Sequence, residues 1–366
     1  MTAAESSAVA RNALVVLAVI ATGATLYWLA SILTPLALAV FLAIMIDGFA
    51  RVLAHRLPGV SRRAALPLAI VLSLAIFGGG AFFVAENATS FATQLVSYAP
   101  KMNSLIADIA HRVGMNAPIS LATLTQQLDP TRYIGIVARG LQNFTSTAGF
   151  VIVYAAFIMA SRHSFERKMV SLFRTREERQ DAVSAFLRIR DGVEQYLWVQ
   201  TVTGAMIAVA CYFAMLAVGL NDAAFWAFLI FIASYIPVIG GILAGAAPPL
   251  FALLQFDGYW QAIVLVIVLN GVTTVVGNVI YPRMQGRSLN IDPVVVLLAL
   301  AFWGSIWGVV GAFLSTPLTV MIMVVLAQFE GARWVAVLLS ADGAPHQLKE
   351  ARSDQPPDEP EKRRSQ

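Results

Sequence analysis

The sequence predicts an all-α polytopic membrane protein with six transmembrane helices, two re-entrant helical hairpins and a small helical insertion outside the bilayer. Three observations predict it. Hydrophobic residues make up 58% of the chain and charged residues only 13%, against roughly 25% charged in a soluble domain, and mean hydropathy is +0.72. Apolar segments of about 20 residues, enough to cross a bilayer core, recur along the chain. Two later segments are interrupted at their centres by proline and glycine, at Pro237-Val238-Ile239-Gly240-Gly241 and at Gly308 to Gly311. In hydrocarbon every freed backbone N–H and C=O must find a partner, so such breaks survive only inside protein or along a polar cavity.

The net charge of +4 is read as topology. The basic residues fall between apolar segments and form no stripe with interleaved aromatics, so no nucleic-acid partner is expected. The single cysteine, Cys211, excludes an intrachain disulfide and a cysteine metal site.

In chain order, Asn12 to Ser31 is the first span and Pro35 to Arg51 the second, with Asp47 and Arg51 paired at i, i+4 near its end. Ala64 to Ala85 is the third, completing a first region, 1–85. Residues 86–143 lose hydrophobicity and become amphipathic: Phe91, Leu95, Tyr98, Met102, Leu105 and Ile109 recur at three- and four-residue steps. This is the extracytoplasmic insertion. Region 144–195 holds the fourth span, Thr145 to Ala160, and a charged cytoplasmic helix opened by a capping box at Thr175 to Glu178. That helix runs unbroken into the fifth span, Tyr196 to Val218, at the start of a core, 196–335. Residues 336–366 are expected to be a disordered cytoplasmic tail.

Within the core, 223–254 is too long for one upright helix and too short for two spans with a loop. It and 292–330 are therefore read as hairpins, with Tyr259 to Tyr281 an ordinary sixth span between them. Lys and Arg counts favour this over eight plain spans. With the N-terminus inside, the loops 51–63 (four) and 162–195 (eight) are cytoplasmic and 86–143 (four) is outside. The hairpin reading then puts Arg283 and Arg287 inside and the uncharged turn 255–258 outside, as the positive-inside rule requires, with both termini cytoplasmic.

Several blocks resemble a known family. They are Ser234-Tyr235-Ile236-Pro237-Val238-Ile239-Gly240-Gly241, Gly277-Asn278-Val279-Ile280-Tyr281-Pro282-Arg283-Met284-Gln285-Gly286, Asp292-Pro293, Trp303-Gly304, Gly311 and Leu314-Ser315-Thr316-Pro317-Leu318. In order and spacing they are similar to the autoinducer-2 exporter family of bacterial inner-membrane proteins. The resemblance implies a secondary transporter in the cytoplasmic (inner) membrane, assembled as a homopentamer, with two hairpins around the substrate and elevator-like movement. It leaves proton or sodium coupling open, and a monovalent cation/proton antiporter remains an alternative. Where many members carry an acidic residue immediately before, or a few positions before, the proline of the basic turn, this chain has Tyr281 before Pro282 and Asn278 further upstream. A non-transporting membrane scaffold is the reading from another class; it has no use for broken helices.

No enzyme constellation, metal spacing or cofactor motif is found. His55, His111, His163 and His346 lie far apart and outside the apolar spans. From Tyr196 to Pro282 there is no Lys, Arg, Glu or His, so a small polar solute is the expected partner besides the lipid bilayer. Asn270, Thr273, Thr274 and Asn278 share one face of the sixth span. That face serves either helix-to-helix hydrogen bonding or solute contact. Candidate contacts further include Gln200, Pro237, Gly240, Gly241, Gly308, Gly311, Thr316 and Pro317, and the glycines also serve tight turns and packing. Pro282, Arg283, Gly286, Arg287 and Asp292 are expected to be structural or gating residues, with the arginines pairing to Asp292 or Glu330.

Overall fold

The computed structural model describes residues 3–56, 61–98, 100–101, 104, 147–161, 175–285 and 290–343. Among these, secondary structure is helical apart from one isolated backbone bridge, Ile291 to Ser340. Among the described residues five helices are long and apolar enough to cross a membrane, and the protein is an integral membrane protein.

Helices α1 (Ala3–Trp28), α2 (Ala30–Arg56) and α3 (Arg62–Ser97) come first. Helix α3 continues twelve residues past the expected end of the third span, because residues assigned to the insertion have aromatic partners: Phe91 packs 5.0 Å from Phe225, 5.1 Å from Trp226 and 5.5 Å from Phe251. Met102, Leu105, Ile109 and the remaining insertion to 143 lie outside the described residues. After α4 (Thr147–Ser161), α5 (Arg176–Val218) is one helix of 43 residues, about 65 Å long at 1.5 Å per residue. It joins the charged helix and the fifth span without a break. Arg51 ties α2 to it, donating to Asp47 at 3.1 Å and to Glu194 of α5.

The chain then doubles back twice. Helix α6 (Ala223–Ser234) ends at the turn Tyr235–Val238 and α7 (Ile239–Gln255) returns beside it. Gln255 closes the base, its Oε1 accepting from Asn221 N at 2.7 Å and its Nε2 donating to Gly219 O at 2.8 Å. Helix α8 (Trp260–Val275) passes through a π-helical turn, Val276–Ile280, into Tyr281–Gln285. Helix α9 (Pro293–Ala327) contains one residue off helical geometry, Gly308 at φ +62° and ψ −142°. Trp303 and Thr319, 16 residues apart, would be about 24 Å apart in a straight helix. Instead Trp303 Nε1 donates to Thr319 Oγ1 at 3.2 Å, so the two arms lie side by side with Gly308 at the bend. Because only glycine takes this backbone without penalty, the bend falls there.

Helix α10 (Arg333–Leu339) folds onto the second hairpin, with Ala336 fully buried among Met323 and Ala327. Asp292 N donates to Leu339 O and Ala341 N to Asn290 O, each at 3.1 Å. The expected tail boundary at 336 is therefore too early: the chain stays attached to the second hairpin through buried Ala336 and through the paired backbone of Leu339 and Ala341.

Candidate functional site

Helix α6 stops at Ser234 because Pro237 cannot extend it, and its last carbonyls lose intrahelical partners. Side chains of α5 meet this end. Gln200 Nε2 donates to Ser234 O. The hydroxyls of Thr201 and Tyr235 bond at 2.7 Å, and the Tyr235 ring stacks 5.0 Å from Phe313 of the second hairpin. Gly204 admits the closest approach, since a Cβ there would lie 2.2 Å from Ser234 Oγ. Val238 takes φ +68°, and Gly240 is backed against Ser234 Cα, 2.5 Å from where a Cβ would stand. The tip is thus held on one side by α5 and by its own backbone.

Two concavities flank that tip. The larger, about 820 Å³, is bounded by α5 (Tyr196, Gln200, Thr203), the tip (Ser234, Pro237, Gly240, Gly241), the π turn (Gly277, Tyr281), the base of the second hairpin (Asn290, Pro293, Asp342) and Thr316. Its polar lining is amide and hydroxyl, and Asp342 is the one ionisable carboxylate among the described lining residues. No Lys, Arg or His borders it there. The smaller, about 350 Å³, lies between Val238, Gly241 and Ile242 and the polar face of α8. Val238 and Gly241 border both.

The four stripe residues Asn270, Thr273, Thr274 and Asn278 therefore meet the first hairpin in the smaller concavity. Asn270 is engaged with the protein, its Nδ2 donating to Gly245 O at 3.1 Å and Val266 O at 2.7 Å, and Thr273 Oγ1 donates to Asn270 O at 3.0 Å. Thr274 and Asn278 stand exposed there. Gln200, Pro237, Gly240, Gly241 and Thr316 come together in the larger cavity. Gly308, Gly311 and Pro317 border neither concavity. Gly308 makes the bend, a Cβ on Gly311 would stand 1.9 Å from Trp303 O, and Pro317 is fully buried. Pro282 and Arg283 are exposed. Asp292 caps α9, Oδ1 accepting from Val294 N at 2.7 Å, which satisfies an orphan helix donor. Gly286 and Arg287 lie outside the described residues.

Sequence reasoning did not single out Tyr196, Thr203, Tyr281, Asn290 or Asp342 as cavity residues. The tyrosines carried a signal, since a polar-tipped ring at the end of an apolar span favours a site where one end is wet. Thr203 carried none: its hydroxyl bonds Val199 O at 2.7 Å within its own helix.

Comparison with known proteins adds three findings. The sequence model of the family described as AI-2E family transporter matches residues 14–331. The AI-2 transport protein TqsA of Escherichia coli K12 is 28% identical over 319 residues, 85% of this chain and 90% of that protein. YhhT of the same organism is 26% identical over 318 residues (85% and 88%) and YueF of Bacillus subtilis 23% over 315 residues (79% and 82%), both named only provisionally as transport proteins.

Proposed function

We propose, from the premise that the chain belongs to the AI-2E transporter family, that it carries a small uncharged polar solute across the bacterial cytoplasmic membrane as a secondary transporter. Autoinducer-2 is the first candidate, because TqsA is named for its transport. The observation that carries the reading is the pair of concavities, about 820 and 350 Å³, that flank an interrupted helix and whose polar lining is amide and hydroxyl apart from the exposed carboxylate of Asp342. Broken helices mark binding sites in secondary transporters, since the freed backbone groups need polar surroundings. A bare cation or an anion finds no buried partner charge there.

In this reading the hairpins enter the membrane from opposite faces beside six spanning helices, with both termini cytoplasmic. The cavity, bordered by Tyr281, Gln285 and Asn290, then opens inward. The tip Tyr235–Gly241 parts from α5 to pass the solute, and the hairpins shift together in an elevator-like step. A homopentamer, with proton or sodium coupling, completes the proposal.

The test is flux of labelled autoinducer-2 in proteoliposomes, with and without proton and sodium gradients, for wild type and Asn278→Ala. Wild type is expected to accumulate the label, and Asn278→Ala to lose about 5- to 150-fold in apparent affinity, as for an amide removed from a bound polar group, with unchanged thermal stability. Absence of flux, or loss of stability in step with flux, contradicts the reading.

A further inference from the structure

Most polar side chains that border the larger cavity are spent on the protein itself. Gln200 donates to Ser234 O, Thr203 to Val199 O at 2.7 Å, and Ser234 Oγ to Phe231 O at 2.6 Å. The Tyr196 phenol is hydrogen-bonded to Thr316. Asn290 donates to Asp342 Oδ1 at 2.6 Å, and Gln285 is engaged as well. Tyr281 differs. It borders the same cavity and is partly exposed, yet its hydroxyl bonds no group among the described residues. A tyrosine set into protein ordinarily finds a partner for its O–H, because giving up water without one is costly.

The backbone that carries Tyr281 adds free acceptors. Its N–H donates to Val276 O, five residues back, and so not to Gly277 O as the α-helical pattern requires. Pro282 has no N–H to offer Asn278 O, its partner in that pattern. Two successive carbonyls thus lose their helical donors inside an apolar span, Trp260–Gln285, where hydrocarbon offers no replacement. Gly277, lacking a side chain, shows the larger cavity only its backbone, and Asn278 borders the smaller one. The π turn is therefore a wall of both concavities, and such turns inside α-helices are frequent at functional sites.

We propose that Tyr281 is a specificity-determining residue of the transport site, its phenol pairing with one hydroxyl of an uncharged solute while the neighbouring Gly277 carbonyl accepts from a second. This assignment rests on the transport reading. The phenol either donates or accepts, whereas the carbonyl only accepts, so the pair suits a solute with adjacent hydroxyl groups. A ketone or ether of similar size satisfies the phenol and leaves the carbonyl unpaired, which lowers its affinity.

The experiment measures Tm and proteoliposome flux of autoinducer-2 for wild type, Tyr281→Phe and, as the control, Tyr259→Phe. Tyr259 is exposed at the opposite end of α8 and borders neither concavity. Tyr281→Phe keeps the ring and removes one oxygen that bonds nothing in the protein. Tm is therefore expected to hold while KM rises by about 5- to 150-fold, the range for a polar partner lost from a bound group, and Tyr259→Phe should match wild type. A Tm that falls in step with flux makes the hydroxyl structural, and an unchanged KM makes Tyr281 an interfacial anchor; either result overturns the assignment and leaves the transport reading standing. A wild type without flux overturns both. Cysteine labelling adds a readout that needs no flux: Tyr281→Cys, on Cys211→Ala, should react with a small methanethiosulfonate, and more slowly when autoinducer-2 is present. An unreactive cysteine, or one that autoinducer-2 does not protect, contradicts the contact.

Discussion

The two hairpins share a plan and differ in what surrounds their bends. In the second, the arms are locked to each other: Trp303 bonds Thr319 across the bend, Gly311 sits under the Trp303 carbonyl, and Leu314, Val320 and Val324 are buried with Phe41 and Leu197. Even its tip is tied down, Trp307 Nε1 donating to Leu26 O at 3.1 Å. In the first, the base is aromatic and closed, with Phe91, Trp226 and Phe251 in mutual contact, whereas the tip meets α5 through two polar ties and is flanked by the two concavities. Local opening is drawn from places with few buried apolar contacts. The contrast points to the first tip as the part that opens locally and to the second hairpin as a bend that stays closed.

The largest effect should come from the second hairpin. Gly311→Ala puts a Cβ 1.9 Å from a backbone oxygen, and overpacking against main chain with no flexible neighbour to yield is expected to destabilise by upwards of about 3 kcal/mol. Yield and Tm should fall together; a normally folded Gly311→Ala protein would break the contrast. A smaller effect is expected at the first tip. Gln200→Leu leaves Ser234 O without its side-chain donor, a loss of about 1–3 kcal/mol, and it should appear as faster hydrogen exchange confined to residues 235–241 rather than as global unfolding. Exchange spread evenly over both hairpins would show that the tip has no separate stability.

The smallest effect concerns the base. Lys101 Nζ donates to Asp257 Oδ1 at 2.7 Å and to Phe256 O at 2.8 Å, and this bond and charge hold the Asp257 carboxyl below the ordinary carboxylate range. A depressed pKa contributes stability above the unfolded-state pKa and loses it as pH falls through the folded-state value. Wild type should therefore exceed Asp257→Asn in Tm at neutral pH by a small margin, Asp257 being fully exposed. The two should converge in acid. A constant difference at every pH contradicts the pair.

The breaks themselves were legible. Pro237 and Gly308 mark both bends because backbone chemistry is local, and the polar stripe on α8 followed from helical period alone. What is distant in sequence was not legible. Residues 86–97 read as leaving the bilayer because Glu86 and Asn87 end the apolar run, yet Phe91 has its partners some 135 to 160 residues further along the chain. Tyr196 and Asn290 stand far apart in sequence and were not singled out, and only the approach of α5 to the base of the second hairpin brings them to one cavity. Residues 336–343 look like the start of a polar tail until the backbone of 290–292 pairs with them.

A pair of cross-links tests whether the first tip must part from α5 for solute to pass. A Cβ on Gly204 would stand 3.3 Å from Ser234 Cβ, close to the range of about 3.5–4.5 Å found in disulfides. Gly204→Cys/Ser234→Cys on Cys211→Ala therefore fastens the tip to α5. As the control, Gly304→Cys/Ala312→Cys joins the arms of the second hairpin, where the corresponding distance is 3.8 Å. Proteoliposome flux should stop in the oxidised first variant, return on reduction, and be the same in both redox states of the second. Equal flux with the first cross-link closed and open would contradict the account.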